Sequence, residues 1–151
     1  MTFTVSSQTT ISVHRGCSFL SGVYLLLPTL KRGERCSLIQ STKSGKAALE
    51  KLSSESLRNQ VNLPAMRRGV VFEALLSESY YEELTRIAGK EWLQSFEGRA
   101  SSTYLLPDDM TAFEAEVWFF DNTIHLMDWR EETVIKIHSK ELMKLCLTLF
   151  D

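Results

Sequence analysis

Phe113-Glu114-Ala115-Glu116-Val117-Trp118-Phe119-Phe120-Asp121-Asn122-Thr123-Ile124-His125-Leu126-Met127-Asp128-Trp129 is the stretch that decides the fold. Two runs rich in β-branched and aromatic residues flank Asp121-Asn122, a pair that favours a tight turn, so Phe113 to Phe120 and Ile124 to Trp129 form a hairpin. Downstream, Glu131-Glu132 makes a second turn and Val134-Ile135-Lys136-Ile137 a further strand. Ser139 then caps a terminal helix running through Leu142, Leu145, Leu149 and Phe150.

Upstream of the hairpin the period changes. Thr10 to His14 alternates as a strand, and Phe19, Leu20, Val23, Tyr24, Leu27 and Leu30 recur at helical spacing, with Pro28 implying an irregular last turn. Arg35 to Gln40 is a second strand, Ser41 to Gly45 a polar turn, and Lys46 to Asn59 a helix with a thin apolar face. Val61 to Arg68 is a short helix or loop around Pro64, and Val70 to Leu76 is a third strand. Ser79 with Glu82 gives a helix-start spacing, and that helix runs to about Phe96, weakened by Gly89. Tyr104 to Leu106 is strand-like and Pro107 to Asp109 a turn. Three β–α cycles followed by an antiparallel tail predict an α/β fold: a mixed, largely parallel sheet with helices on both faces and an antiparallel hairpin near the C-terminus. Residues 1–9 are expected to be a flexible leader, and residues 10–151 a single domain.

Composition narrows the function. The 151 residues carry 17 Lys and Arg against 19 Asp and Glu, a net charge of −2, which lacks the basic field of a free-standing nucleic-acid binder. Cys17, Cys36 and Cys146 stand far apart and form no CxxC pair, so reduced thiols in a cytoplasmic protein are expected. The longest apolar run stops at Pro28 after five residues, far short of the roughly 20 that a membrane span needs. The glycines form neither a GxGxxG nor a GxxxxGK loop, and no GxSxG elbow occurs. No cofactor is implied.

Among candidate site residues, Glu114 and Glu116 lie two apart and project from one face of their strand, with Asp121 following. They could form an acid pair, but same-face acids more commonly mark the solvent side. His14, His125 and His138 are scattered, without metal-ligand spacing. Met66-Arg67-Arg68-Gly69, with Lys43, Lys46 and Lys51, could make a basic patch for phosphate or nucleic acid; a charged helix end is the simpler account. The tail aromatics Trp118, Phe119, Phe120 and Trp129 are expected to pack across strands.

The junctions Val13-His14-Arg15-Gly16, Gly33 to Ile39 and Arg67 to Glu73 fall in a telling order. With the tail Glu116 to Leu126 and Val134 to Leu142, they resemble the phospholipase-D-like C-terminal effector domain of TrmB-type transcriptional regulators. Active phospholipase-D-like enzymes use an HxKxxxxD motif, with a histidine nucleophile on phosphorus and a lysine on the phosphate oxygens. With Asp121 at the motif aspartate, Glu116 stands at the lysine and Glu114 at the histidine. The GSxN positions fall on Asp128, Trp129 and Glu131, so the phosphate loop is lost as well. His138 and Lys140 form an HxK, but Leu145 stands where its aspartate is required.

The resemblance therefore implies a non-catalytic domain for ligand sensing or dimerisation in transcription regulation. Its expected partners are a small-molecule effector and a second copy or a separate DNA-binding segment, since nothing before Thr10 could hold a winged helix. It is not expected to bind nucleic acid or membranes itself. The alternative is a phosphodiesterase or nuclease half-site completed by a dimer, using Glu114, Glu116, Asp121 and His125 with a divalent metal.

Overall fold

Asp121 and Asn122 both adopt positive φ, 49° and 53°, the paired left-handed conformation of a type I′ turn whose twist matches that of the strands it joins. The computed structural model describes residues 2–6, 9–94 and 101–151. The turn joins β6 (Ala115–Phe120) to β7 (Thr123–Asp128), with Glu116 opposite Met127 and Trp118 opposite His125. β8 (Thr133–His138) pairs antiparallel with β7, and β2 (Thr9–Arg15) pairs antiparallel with β8. Thr2–Ser6, in the stretch expected to be a leader, forms strand β1 against β2.

On the other side of the hairpin, β3 (Arg35–Gln40) runs antiparallel to β6. β4 (Val71–Ser77) and β5 (Ser101–Leu106) continue the sheet in parallel. The order is β1-β2-β8-β7-β6-β3-β4-β5. Only the β3–β4 and β4–β5 pairings are parallel, so the sheet is mostly antiparallel rather than largely parallel. The physical reason lies in the tail. β2 runs in the same direction as β3, as a β–α–β order demands, but β6, β7 and β8 insert between them and turn each junction antiparallel.

Helix boundaries follow local chemistry. α1 (Cys17–Leu26) gives way at Pro28 to the 3₁₀ turn Leu27–Thr29, the irregular ending its proline predicts. Ser41 to Gly45, expected as a turn, begins α2 (Thr42–Lys51). The Ser41 hydroxyl accepts from Ser44 N at 3.1 Å while the Ser44 hydroxyl accepts from Ser41 N at 3.0 Å, a reciprocal cap. Next come the single turn α3 (Ser54–Ser56), the π-helical segment Leu57–Asn62, and α4 (Leu63–Arg68), stopped by Gly69 in the left-handed conformation. α5 (Glu78–Gln94) breaks at Gly89, where φ is 77°; Phe96, its expected end, lies outside the described residues. α6 (Lys140–Leu147) is capped by Ser139, whose hydroxyl accepts from Leu142 N.

Because side chains alternate along each strand, the sheet has two apolar faces. The larger core joins Trp118, Phe120, Met127 and Val134 to Leu20, Val23 and Tyr24 of α1, Ala48 of α2 and Tyr80 and Leu84 of α5. The smaller packs Phe119 and Ile124 against Met143 of α6 and Phe150. Helices thus cover both faces, as expected. Among the described residues no helix is long and apolar enough to cross a membrane.

Candidate functional site

Glu116 lies on β6 and is buried on the side of the larger core, whereas Glu114 precedes the strand at a bend, so the expected same-face pair is not formed within one strand and their surroundings differ completely. Glu116 is fully buried. Its Oε1 accepts from the Tyr24 hydroxyl and from Trp129 Nε1, each at 2.8 Å, and its Oε2 accepts from Gln40 Nε2. Gln40 Nε2 also donates to the Tyr24 oxygen at 3.2 Å. The Trp118 indole N–H lies near the same carboxylate, outside hydrogen-bonding geometry. Burial pushes the Glu116 carboxyl above the usual range, and the donors from Gln40, Trp129 and Tyr24 oppose that push. Burial, reinforced by the Glu116 charge, in turn lifts the Tyr24 hydroxyl well above its ordinary value.

Glu114 sits just before β6, at the rim where the C-terminal end of β3 enters α2. Its Oε2 accepts from Arg130 Nη1 at 3.2 Å and its Oε1 from Lys43 Nζ at 3.3 Å. These two hydrogen bonds hold the Glu114 carboxyl below the usual carboxylate range, and the charges of Lys43 and Arg130 add to the effect. The rim is pinned from both sides. Ser41 Oγ donates to the Phe113 carbonyl at 2.6 Å, and Asp128 Oδ1 accepts from the backbone N–H groups of Arg130 and Glu131. The triad of Lys43, Glu114 and Arg130 carries a net charge of +1 and is open to solvent.

The other candidates lie elsewhere. Asp121 is in the hairpin turn at the opposite end of the six-residue β6, about 20 Å from Glu114 at the strand rise of roughly 3.3 Å per residue. His125 is buried, stacked on Phe120 with ring centroids 4.4 Å apart, and neither ring nitrogen has a partner among the described residues. Burial, aided by Lys136, pushes its pKa down to about 3. Arg67 and Arg68 are exposed at the end of α4, beside the N-terminal end of β4 and so at the opposite end of the strands from Glu114. The expected basic patch is dispersed: Lys43 pairs with Glu114, Lys46 with Glu83 and Lys51 with Glu132.

The donor set does not fit the divalent metal of the alternative reading. Both Glu116 oxygens are occupied by donors, Glu114 is engaged by two cations, and Asp121 is remote. Among the described residues no group of three or more His, Cys, Asp or Glu side chains could hold a metal ion. Sequence reasoning missed Tyr24, Gln40 and Trp129 as partners of Glu116, and Arg130 as a partner of Glu114. Tyr24 and Gln40 lie 92 and 76 residues from Glu116, and no local spacing reports such a contact.

By sequence, the chain matches no family model and no curated protein. By structure, it is similar to NucT from Helicobacter pylori, with a TM-score of 0.58, 10% identity, and 95% of this chain and 94% of that chain covered. NucT is a phospholipase-D-like nuclease. With a nuclease as structural neighbour, the expectation of a non-catalytic effector domain and of a chain that is no enzyme does not stand. At the level of architecture, the chain has the mixed α/β, phospholipase-D-like fold.

Proposed function

We propose that the chain acts on phosphodiesters, as a nuclease-type hydrolase, at the exposed rim formed by Lys43, Glu114 and Arg130. The observation that carries this reading is Glu114 itself. It stands where the family resemblance assigns the reacting histidine, and it is held ionised between two cations at 3.3 and 3.2 Å. Two cations and one carboxylate leave a single positive charge, which matches the single negative charge of a phosphodiester. When a phosphate oxygen takes over Lys43 and Arg130, Glu114 loses the interactions that depress its pKa and becomes a stronger base.

In the step we assign to it, Glu114 takes a proton from water as the water oxygen bonds to phosphorus. The ester P–O bond breaks, and the leaving oxygen is protonated by the Lys43 ammonium. Arg130 balances charge on the non-bridging oxygens. Glu116 is a positioning residue: it ties Tyr24, Gln40 and Trp129 beneath the rim. The resemblance of the tail to TrmB-type effector domains is accounted for by a scaffold common to both. Three widely spaced cysteines, none in a CxxC pair, support a reducing, cytoplasmic setting.

The test is hydrolysis of bis(p-nitrophenyl) phosphate and of an end-labelled single-stranded oligonucleotide, each with chelator and with added divalent ions. Glu114→Gln is expected to lower kcat at least about 100-fold, within the range for loss of a general base. Lys43→Ala is expected to act on KM as well. A wild-type chain that turns over neither substrate in any arm ends the proposal.

A further inference from the structure

On the larger-core side of the parallel strands lies a cavity of about 370 Å³, large enough for a small organic molecule. It is lined by Leu38, Phe72 and Trp118, by residues of α2, the π-helical segment Leu57–Asn62 and α5, and by Ser101–Thr103 on β5. Among the described residues none that lines it is charged. Rings of Tyr24, Phe72, Tyr80 and Trp118 bound it. One wall residue stands out chemically. Asn62 is 5% exposed, and its Nδ2 has no hydrogen-bond partner among the described residues. A buried amide N–H left without an acceptor is costly, and an acceptor delivered into the cavity would remove that cost. Asn62 ends the π-helical segment, a rare geometry that recurs at functional sites.

We infer that this cavity binds a neutral, largely aromatic small molecule whose carbonyl or equivalent acceptor takes the hydrogen bond of Asn62 Nδ2. Charged ligands are disfavoured, because no cation or anion among the described lining residues would repay their desolvation. The site is separate from the rim of Lys43, Glu114 and Arg130 and does not rest on the hydrolytic reading. An occupant would meet Tyr24, Gln40 and Trp118, which are also the groups around the Glu116 carboxylate.

The experiment titrates the full chain into a trace of the neutral naphthyl ketone Prodan and follows the blue shift of its emission. The expected result is one saturable site with a dissociation constant on the order of 100 µM or tighter, from the usual binding energy per heavy atom. Asn62→Leu is expected to weaken Prodan about five- to tenfold while leaving unchanged the binding of the analogue whose carbonyl is reduced to methylene. Ala48→Phe, which pushes a ring into the cavity, is expected to abolish both. Circular dichroism establishes that each variant is folded, and if Ala48→Phe does not fold, the Asn62 pair of measurements decides. Absence of saturable binding overturns the proposal, as does equal loss of both probes in Asn62→Leu. So does binding removed by Leu145→Ser on exposed α6 but kept in a folded Ala48→Phe.

Discussion

Glu114 and Glu116 are two residues apart, one just before β6 and one within it, and meet opposite environments. Glu116 enters the core and is shared by a tyrosine, a glutamine and a tryptophan, while Glu114 stops at the rim between a lysine and an arginine. The strand edge makes the difference. One step inside the sheet the carboxylate is surrounded by neutral donors that fix packing, and one step outside it is flanked by solvent-exposed cations, which the proposed reaction would turn to a substrate anion. The proposed chemistry therefore falls to Glu114, while Glu116 is part of the packed core.

That contrast is broken most directly by truncation. Glu116→Ala leaves Tyr24, Gln40 and Trp129 without their acceptor and opens a void, and is expected to lower unfolding free energy by about 3–5 kcal/mol in urea denaturation. Glu114→Ala, at an exposed ion-paired position, is expected to lower the urea midpoint far less. A Glu116→Ala chain as stable as wild type would show that the buried network does not organise the core.

A second expectation concerns pH. His125 is held neutral, with its folded pKa down at about 3 against an unfolded value near 6.5. Between those values the unfolded chain binds a proton that the folded chain does not, so stability falls as pH falls through that window, by up to about 1.4 kcal/mol per pH unit. His125→Phe keeps the stack on Phe120 and is expected to flatten this dependence; a slope unchanged in the variant would exonerate the histidine.

Titration of the two carboxylates by ¹³C NMR separates them on one axis. Glu114 is expected to titrate below the ordinary glutamate value and Glu116 above it. Stability tied to Glu114 is present above the ordinary value and fades as pH drops through the depressed one. Stability tied to Glu116 is complete below the ordinary value and fades as pH climbs through the raised one. The reverse order of midpoints would dissolve the comparison. The smallest effect is expected from Lys43→Ala, which leaves one cation beside Glu114 and is expected to move the Glu114 midpoint upward by a fraction of a unit, more at low salt than at high.

The hairpin was legible because Asp121-Asn122 and its flanking residues carry their own geometry, and β3 was legible to the residue because Arg35 to Gln40 is bounded by turns. What sequence periodicity does not encode is pairing. Thr10 to His14 reads as a strand whichever neighbour it meets, so the insertion of β6, β7 and β8 beside it, and with it the antiparallel majority, stayed hidden. The start of α2 was misread because Ser41 and Ser44 look like turn residues until their reciprocal hydrogen bonds are seen. Glu114 was visible as a candidate, but its partners come from α2 and from the turn after β7, and only tertiary structure brings them together.

The tyrosine that walls the cavity lies directly against Gly45 of α2, where even a methyl group would overlap the ring of Tyr80. Two helices distant in sequence are thereby interlocked like a tongue in a slot. A side chain gained at position 45 obliges a smaller one at position 80, so in descendants of this chain the glycine should be lost only together with the tyrosine ring.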